Sequence, residues 1–76
     1  MNKARRAQLA KAMELLQEAQ EIIEGVKDEE QEAFDNMPEG LQSSDRGEQM
    51  ETAIECMEEA LDELDECISN IETAGE

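Results

Sequence analysis

Histidine, tryptophan and tyrosine are missing from this chain of 76 residues, and Phe34 is its one aromatic side chain. Without histidine there is no Ser–His or Cys–His pair for nucleophilic catalysis and no Glu-x-x-His motif for a di-iron bundle. No phosphate-binding loop and no zinc-ligand spacing occurs. The chain has no run of 18 apolar residues and no charged-then-apolar leader, so neither a membrane span nor a signal peptide is expected, and the expected location is the cytoplasm. Bases are scarce: six Lys and Arg stand against 22 Asp and Glu, a formal net charge of -16. Direct nucleic-acid binding is excluded on that count, because phosphate contact needs clustered bases.

The two cysteines, Cys56 and Cys67, lie on one expected helix about 16 Å apart along its axis. They therefore do not bond to each other without unwinding it. Two buried or half-buried reduced thiols are expected, with an intermolecular Cys56–Cys67 bridge in an antiparallel dimer as the alternative.

What is present is helical periodicity. Met50, Ile54, Met57, Leu61, Leu64, Ile68 and Ile71 step by four and three without a gap, which is one face of a long helix. The charge density approaches that of a disordered chain, but disorder gives no reason for an unbroken stripe. Residues 3–36 form the other periodic segment, carried by Leu9, Ala12, Met13, Leu16, Ala19, Ile23, Val26, Ala33, Phe34 and Met37. Gly25 is its weak point, and a break there would give three helices. The phase is kept across Gly25, which favours one continuous helix.

Pro38 ends the first helix by pushing the residue before it out of the helical region. Residues 37–43 are the expected connector, and a second helix over 44–73 begins with Ser44 or Asp45 as cap. Asp45 with Glu48 resembles a capping box. The fold class is all-α: a single helical-hairpin domain over residues 1–76, antiparallel, pairing into a dimeric four-helix bundle. A register in which paired positions sum to 83 sets large residues against small ones, for example Leu9 against Ala74, Ala19 against Leu64, and Ala33 against Met50. Glu30 opposite Ala53 is its poor match.

That register leaves Leu15, Ile22, Ile54, Leu61 and Ile68 unused, and soluble monomers rarely expose such a contiguous patch. These five are the expected dimer interface, with burial worth about 1.5–3 kcal/mol for each large aliphatic side chain.

The charge has a direction. Lys3, Arg5, Arg6 and Lys11 precede every acid, and only Lys27 and Arg46 follow. Ion pairs from the basic start to Glu72 and Glu76 are expected. Two acidic ridges remain: Glu48, Glu51, Glu55, Glu58, Glu59, Asp62 and Asp65 on the second helix, and Glu14, Glu18, Glu21, Asp28, Glu32 and Asp35 on the first. Carboxylates three or four residues apart on a helix stand about 5–6 Å from one another, close to the spacing of phosphates along a nucleic-acid strand. Charge runs are usually a solvated face that keeps a protein soluble. An ordinary exposed helix interleaves both signs, however, and these ridges do not.

The expected function is therefore a non-enzymatic, acidic protein-binding module that mimics nucleic acid and occupies a basic protein surface, with no cofactor and no metal. Three alternatives remain. A structural or assembly adaptor would use the apolar rows. Ser43, Ser44 and Arg46 at a helix N-terminus could sequester a small nucleotide. Glu18-x-x-Glu21 facing Glu59-x-x-Asp62 could hold Mg²⁺ in an enzyme, although so acidic a chain produces such pairs by chance.

The stretch from Asp28 to Glu51 (DEEQEAFDNMPEGLQSSDRGEQME), the basic start from Lys3 to Arg6 and the acidic second helix resemble small acidic proteins of phages and prophages. The resemblance spans most of the chain and assigns no residue a role. It implies a mobile-element setting, in which the partner would be a host nuclease, defence complex or DNA-binding protein in the host cytoplasm.

Overall fold

A computed structural model describes residues 1–76 as a helical hairpin. Helix α1 runs Lys3–Asp35, a single turn α2 covers Glu39–Gln42, and α3 runs Asp45–Ala74. There are no strands. The rod measures 58 × 15 × 13 Å, with α1 antiparallel to α3.

Each boundary has a local cause. Asn2 caps α1, its Oδ1 accepting from the Arg5 backbone N–H at 2.8 Å. The helix then passes through Gly25 without interruption, because one glycine costs about 1 kcal/mol and the apolar phase is unbroken on both sides. The three-helix alternative that breaks at Gly25 is thereby set aside. The α1 ladder stops at Asn36, just ahead of Pro38. Its exposed C-terminal carbonyls find a side-chain partner: Gln42 Nε2 donates to the Phe34 oxygen at 3.1 Å and the Met37 oxygen at 3.3 Å.

Ser44, not Asp45, caps α3. Its Oγ accepts from the Gly47 N–H at 3.3 Å and donates to the Leu41 carbonyl at 2.5 Å. The expected Asp45–Glu48 capping box is therefore replaced by a frame one residue earlier. Gly47 is buried and required there. A Cβ on it would overlap the Gln42 carbonyl and stand 2.8 Å from the Leu41 oxygen.

The stripe from Met50 to Ile71 forms the seam. Every member is half-buried except Ile54, which is enclosed at 5% exposure. From α1 the seam takes Leu9, Met13 and Leu16 at one end and Phe34 at the other, where Met37 of the connector joins it. Its middle is mixed: Gln20, Lys27 and Glu30 are half-buried there beside Ile23. Ala33 shares a cleft with Met50, as the register expected. At the opposite end Leu9 and Met13 line a groove with Ile71 and Gly75, and Ala74 is exposed.

Ile54 is the only enclosed hydrophobic side chain in the rod. A compact chain of 8.5 kDa exposes about 4,700 Å². This one exposes 5683 Å². Its radius of gyration, 17.2 Å, compares with about 11 Å for a compact domain of this length.

Candidate partner-binding surface

Residues seven apart on a helix share a face, so the side chains sort into rows, and the rows sort onto two flanks of the seam. Three contacts fix which row lies where. A cleft near the connector is lined by Ala33, Met37, Arg46 and Met50. A groove on the other flank is lined by Gln31, Phe34, Glu51, Ile54 and Glu58. On that same flank Gln20 is hydrogen-bonded to Asp65.

The first flank carries small and apolar side chains. Its α1 row is Arg5, Ala12, Ala19, Val26 and Ala33, and its α3 row is Arg46, Ala53, Ala60 and Cys67. Leu15 and Ile22 stand outside the α1 row, 54% and 67% exposed, and Val26 is 49% exposed. Glu29 and Glu63 are the acids of this flank.

The second flank is acidic. Glu14, Glu21, Asp28 and Asp35 form its α1 row, and Glu51, Glu58, Asp65 and Glu72 form an α3 row. Glu48, Glu55 and Asp62 lie just beyond. Glu18 and Glu32 occupy the outer edge of α1, and Glu59 that of α3. All thirteen acids expected in the two ridges are exposed. The ridges are therefore one array wrapped around one side of the rod, with Glu18, Glu32 and Glu59 at its margins.

Two ion pairs touch these carboxylates: Lys11 with Glu14 at 3.4 Å, and Lys27 with Asp28 at 3.7 Å. The Lys11–Glu14 pair is about 70% exposed on both sides and contributes little to stability. The expected ion pairs from the basic start to Glu72 and Glu76 are not made. Arg6 Nη2 donates instead to the Glu76 backbone oxygen at 3.2 Å.

The five residues expected to form one dimer interface fall on opposite sides. Leu15 and Ile22 lie outward on the alanine flank. Ile54, Leu61 and Ile68 lie on the acidic side of the seam, enclosed or half-buried within the hairpin. Ile54 in particular belongs to the chain's own core and is not offered to another copy. The physical reason is rotation: at 100° per residue, positions 54, 61 and 68 turn to one side of the stripe. Positions 15 and 22 turn to the other.

Glu18, Glu21, Glu59 and Asp62 do not converge, and no group of three or more acidic or thiol side chains is placed to hold a metal ion. At the connector, Ser44 is committed to capping in both directions. Cys67 is half-buried as expected, Cys56 is exposed contrary to expectation, and both are free thiols. The Gln42 cap on α1 is not foreshadowed by any local pattern, since a connector glutamine has no distinguishing context. No helix is long and apolar enough to cross a membrane. Comparison with family models, with curated proteins and with solved structures finds no match to this chain.

Proposed function

We propose that this chain is a non-enzymatic protein-binding module whose acidic flank occupies the basic, nucleic-acid-binding surface of another protein. The observation that carries the reading is the one-sidedness of the charge. Carboxylates at three- and four-residue steps from Glu48 to Asp65 stand exposed, with no lysine or arginine interleaved on α3 beyond Arg46. The repulsion within such rows opposes folding, and solubility alone does not call for so dense an array. A groove shaped for phosphates meets here a rigid line of anions at comparable spacing.

In the mobile-element setting that the resemblance implies, the partner is a host nuclease, defence complex or DNA-binding protein in the host cytoplasm, inhibited by occlusion of its nucleic-acid channel. The working unit is a homodimeric four-helix bundle. A second reading, an assembly adaptor, is favoured by the exposure of Leu15, Ile22 and Val26. Salt separates the two. Binding to the captured partner is measured from about 50 to about 500 mM salt, with and without competing DNA. The mimic weakens steeply and is displaced by DNA. An adaptor does neither, and that outcome would replace the mimic.

A further inference from the structure

We propose that a second copy of this chain docks on the alanine flank, burying Leu15, Ile22 and Val26 against Ala19, Ala53 and Ala60 of its partner. The inference rests on the dimeric assembly proposed above and assigns its face. It does not depend on what the acidic flank binds.

Three independent observations lead to it. The first is area. The hairpin exposes about 1,000 Å² more than a compact chain of its mass, and a standard interface removes about 800 Å² from each partner. The surplus is what one such interface covers. The second is the core. Ile54 is the one enclosed hydrophobe, too little to offset the conformational entropy of ordering the whole chain. The third is charge, which decides between the faces. A like copy brings the same net charge of -16, and the acidic flanks repel each other at any orientation. The alanine flank carries two acids, Glu29 and Glu63, against two bases, Arg5 and Arg46, so it is the side on which two copies come together at least electrostatic cost.

The side-chain sizes fit that approach. Half-buried Ala19, Ala53 and Ala60 leave a shallow trough over the seam, flanked by exposed Leu15 and Ile22. Alanine lets helix axes come to the short end of the 8–10 Å range, and the rim residues of one copy then fill the trough of the other. The resulting bundle turns one acidic flank outward on each side. A dimer closed on this face presents two separate carboxylate arrays pointing in opposite directions.

The test is sedimentation equilibrium of the full chain from about 1 µM to about 1 mM, with helix content followed by circular dichroism. The native protein gives twice the 8.5 kDa chain mass. Leu15→Ala with Ile22→Ala raises the dissociation constant about a hundredfold. Glu51→Gln with Glu58→Gln, on the opposite flank, leaves the dimer intact or tightens it. If the double alanine variant loses helix content, the inference requires that it return with rising protein concentration. A helix loss independent of concentration overturns it. A one-chain mass throughout with helices intact overturns both the dimer and its face. A dimer that survives Leu15→Ala with Ile22→Ala overturns the face alone.

Discussion

Gln20 and Asp65 lie 45 positions apart in sequence and are hydrogen-bonded across the seam, the Gln20 amide donating to the Asp65 carboxylate. It is the one direct side-chain hydrogen bond between α1 and α3, and it fixes the acidic flank by placing a known row of each helix on the same side. Its energetic weight is small because Asp65 is exposed. A double-mutant cycle on Gln20→Ala and Asp65→Ala, read by thermal denaturation, gives a coupling of about 1 kcal/mol or less. A coupling several times larger would mean that the pair is shielded from water.

The glycines give opposite outcomes. Gly25 has open space around it, with nothing within 4 Å of where a Cβ would stand. Gly25→Ala therefore stabilises the rod by about 1 kcal/mol. Gly47→Ala drives a methyl into the Gln42 and Leu41 backbone and destabilises by about 2 kcal/mol or more, at the upper end of overpacking costs. Melting temperatures of the two variants should move in opposite directions, and a tolerated Gly47→Ala would show that the turn at α2 relaxes.

Gln42 closes the end of α1 with two donated hydrogen bonds. Gln42→Leu keeps the bulk and removes both donors, leaving the Phe34 carbonyl with only the Met37 N–H and the Met37 carbonyl without its side-chain donor. The expected loss is about 1–2 kcal/mol, accompanied by faster amide exchange near residues 34–37. Unchanged exchange there would assign the cap to water.

Much of this fold is written in residue types. Pro38 marks the end of α1, the stripe from Met50 to Ile71 marks the seam, and the phase kept across Gly25 marks continuity. The sidedness of the rows is also encoded, but not in their spacing. Leu15 and Ile22 lie seven apart on α1, and Ile54, Leu61 and Ile68 step by seven on α3, but such spacing says that residues share a face of their own helix and not which way that face turns. Handedness and antiparallel placement supply the direction, and together they separate the two sets. The Ser44 cap was legible only as one of two candidates, because Asp45 with Glu48 offers a competing local pattern. Gln42 as a cap depends on α2 folding its amide back onto α1, a tertiary event that no local pattern records.

Charge repulsion predicts a response to salt. With a net charge of -16 on a rod this thin, screening stabilises the folded form, so the melting temperature rises between about 50 and about 500 mM sodium chloride. A fall over that range would indicate that ion pairs hold the hairpin together more strongly than the carboxylates repel.

The decisive measurement is capture from a bacterial lysate by the native chain and by a variant carrying Glu51→Gln, Glu58→Gln, Asp62→Asn and Asp65→Asn, in parallel. The native chain retains nucleic-acid-binding proteins at low salt and releases them to added DNA, and the neutralised variant, still helical, retains none of them. Retention of the same proteins by both, or retention indifferent to DNA, would contradict a function carried by the acidic flank.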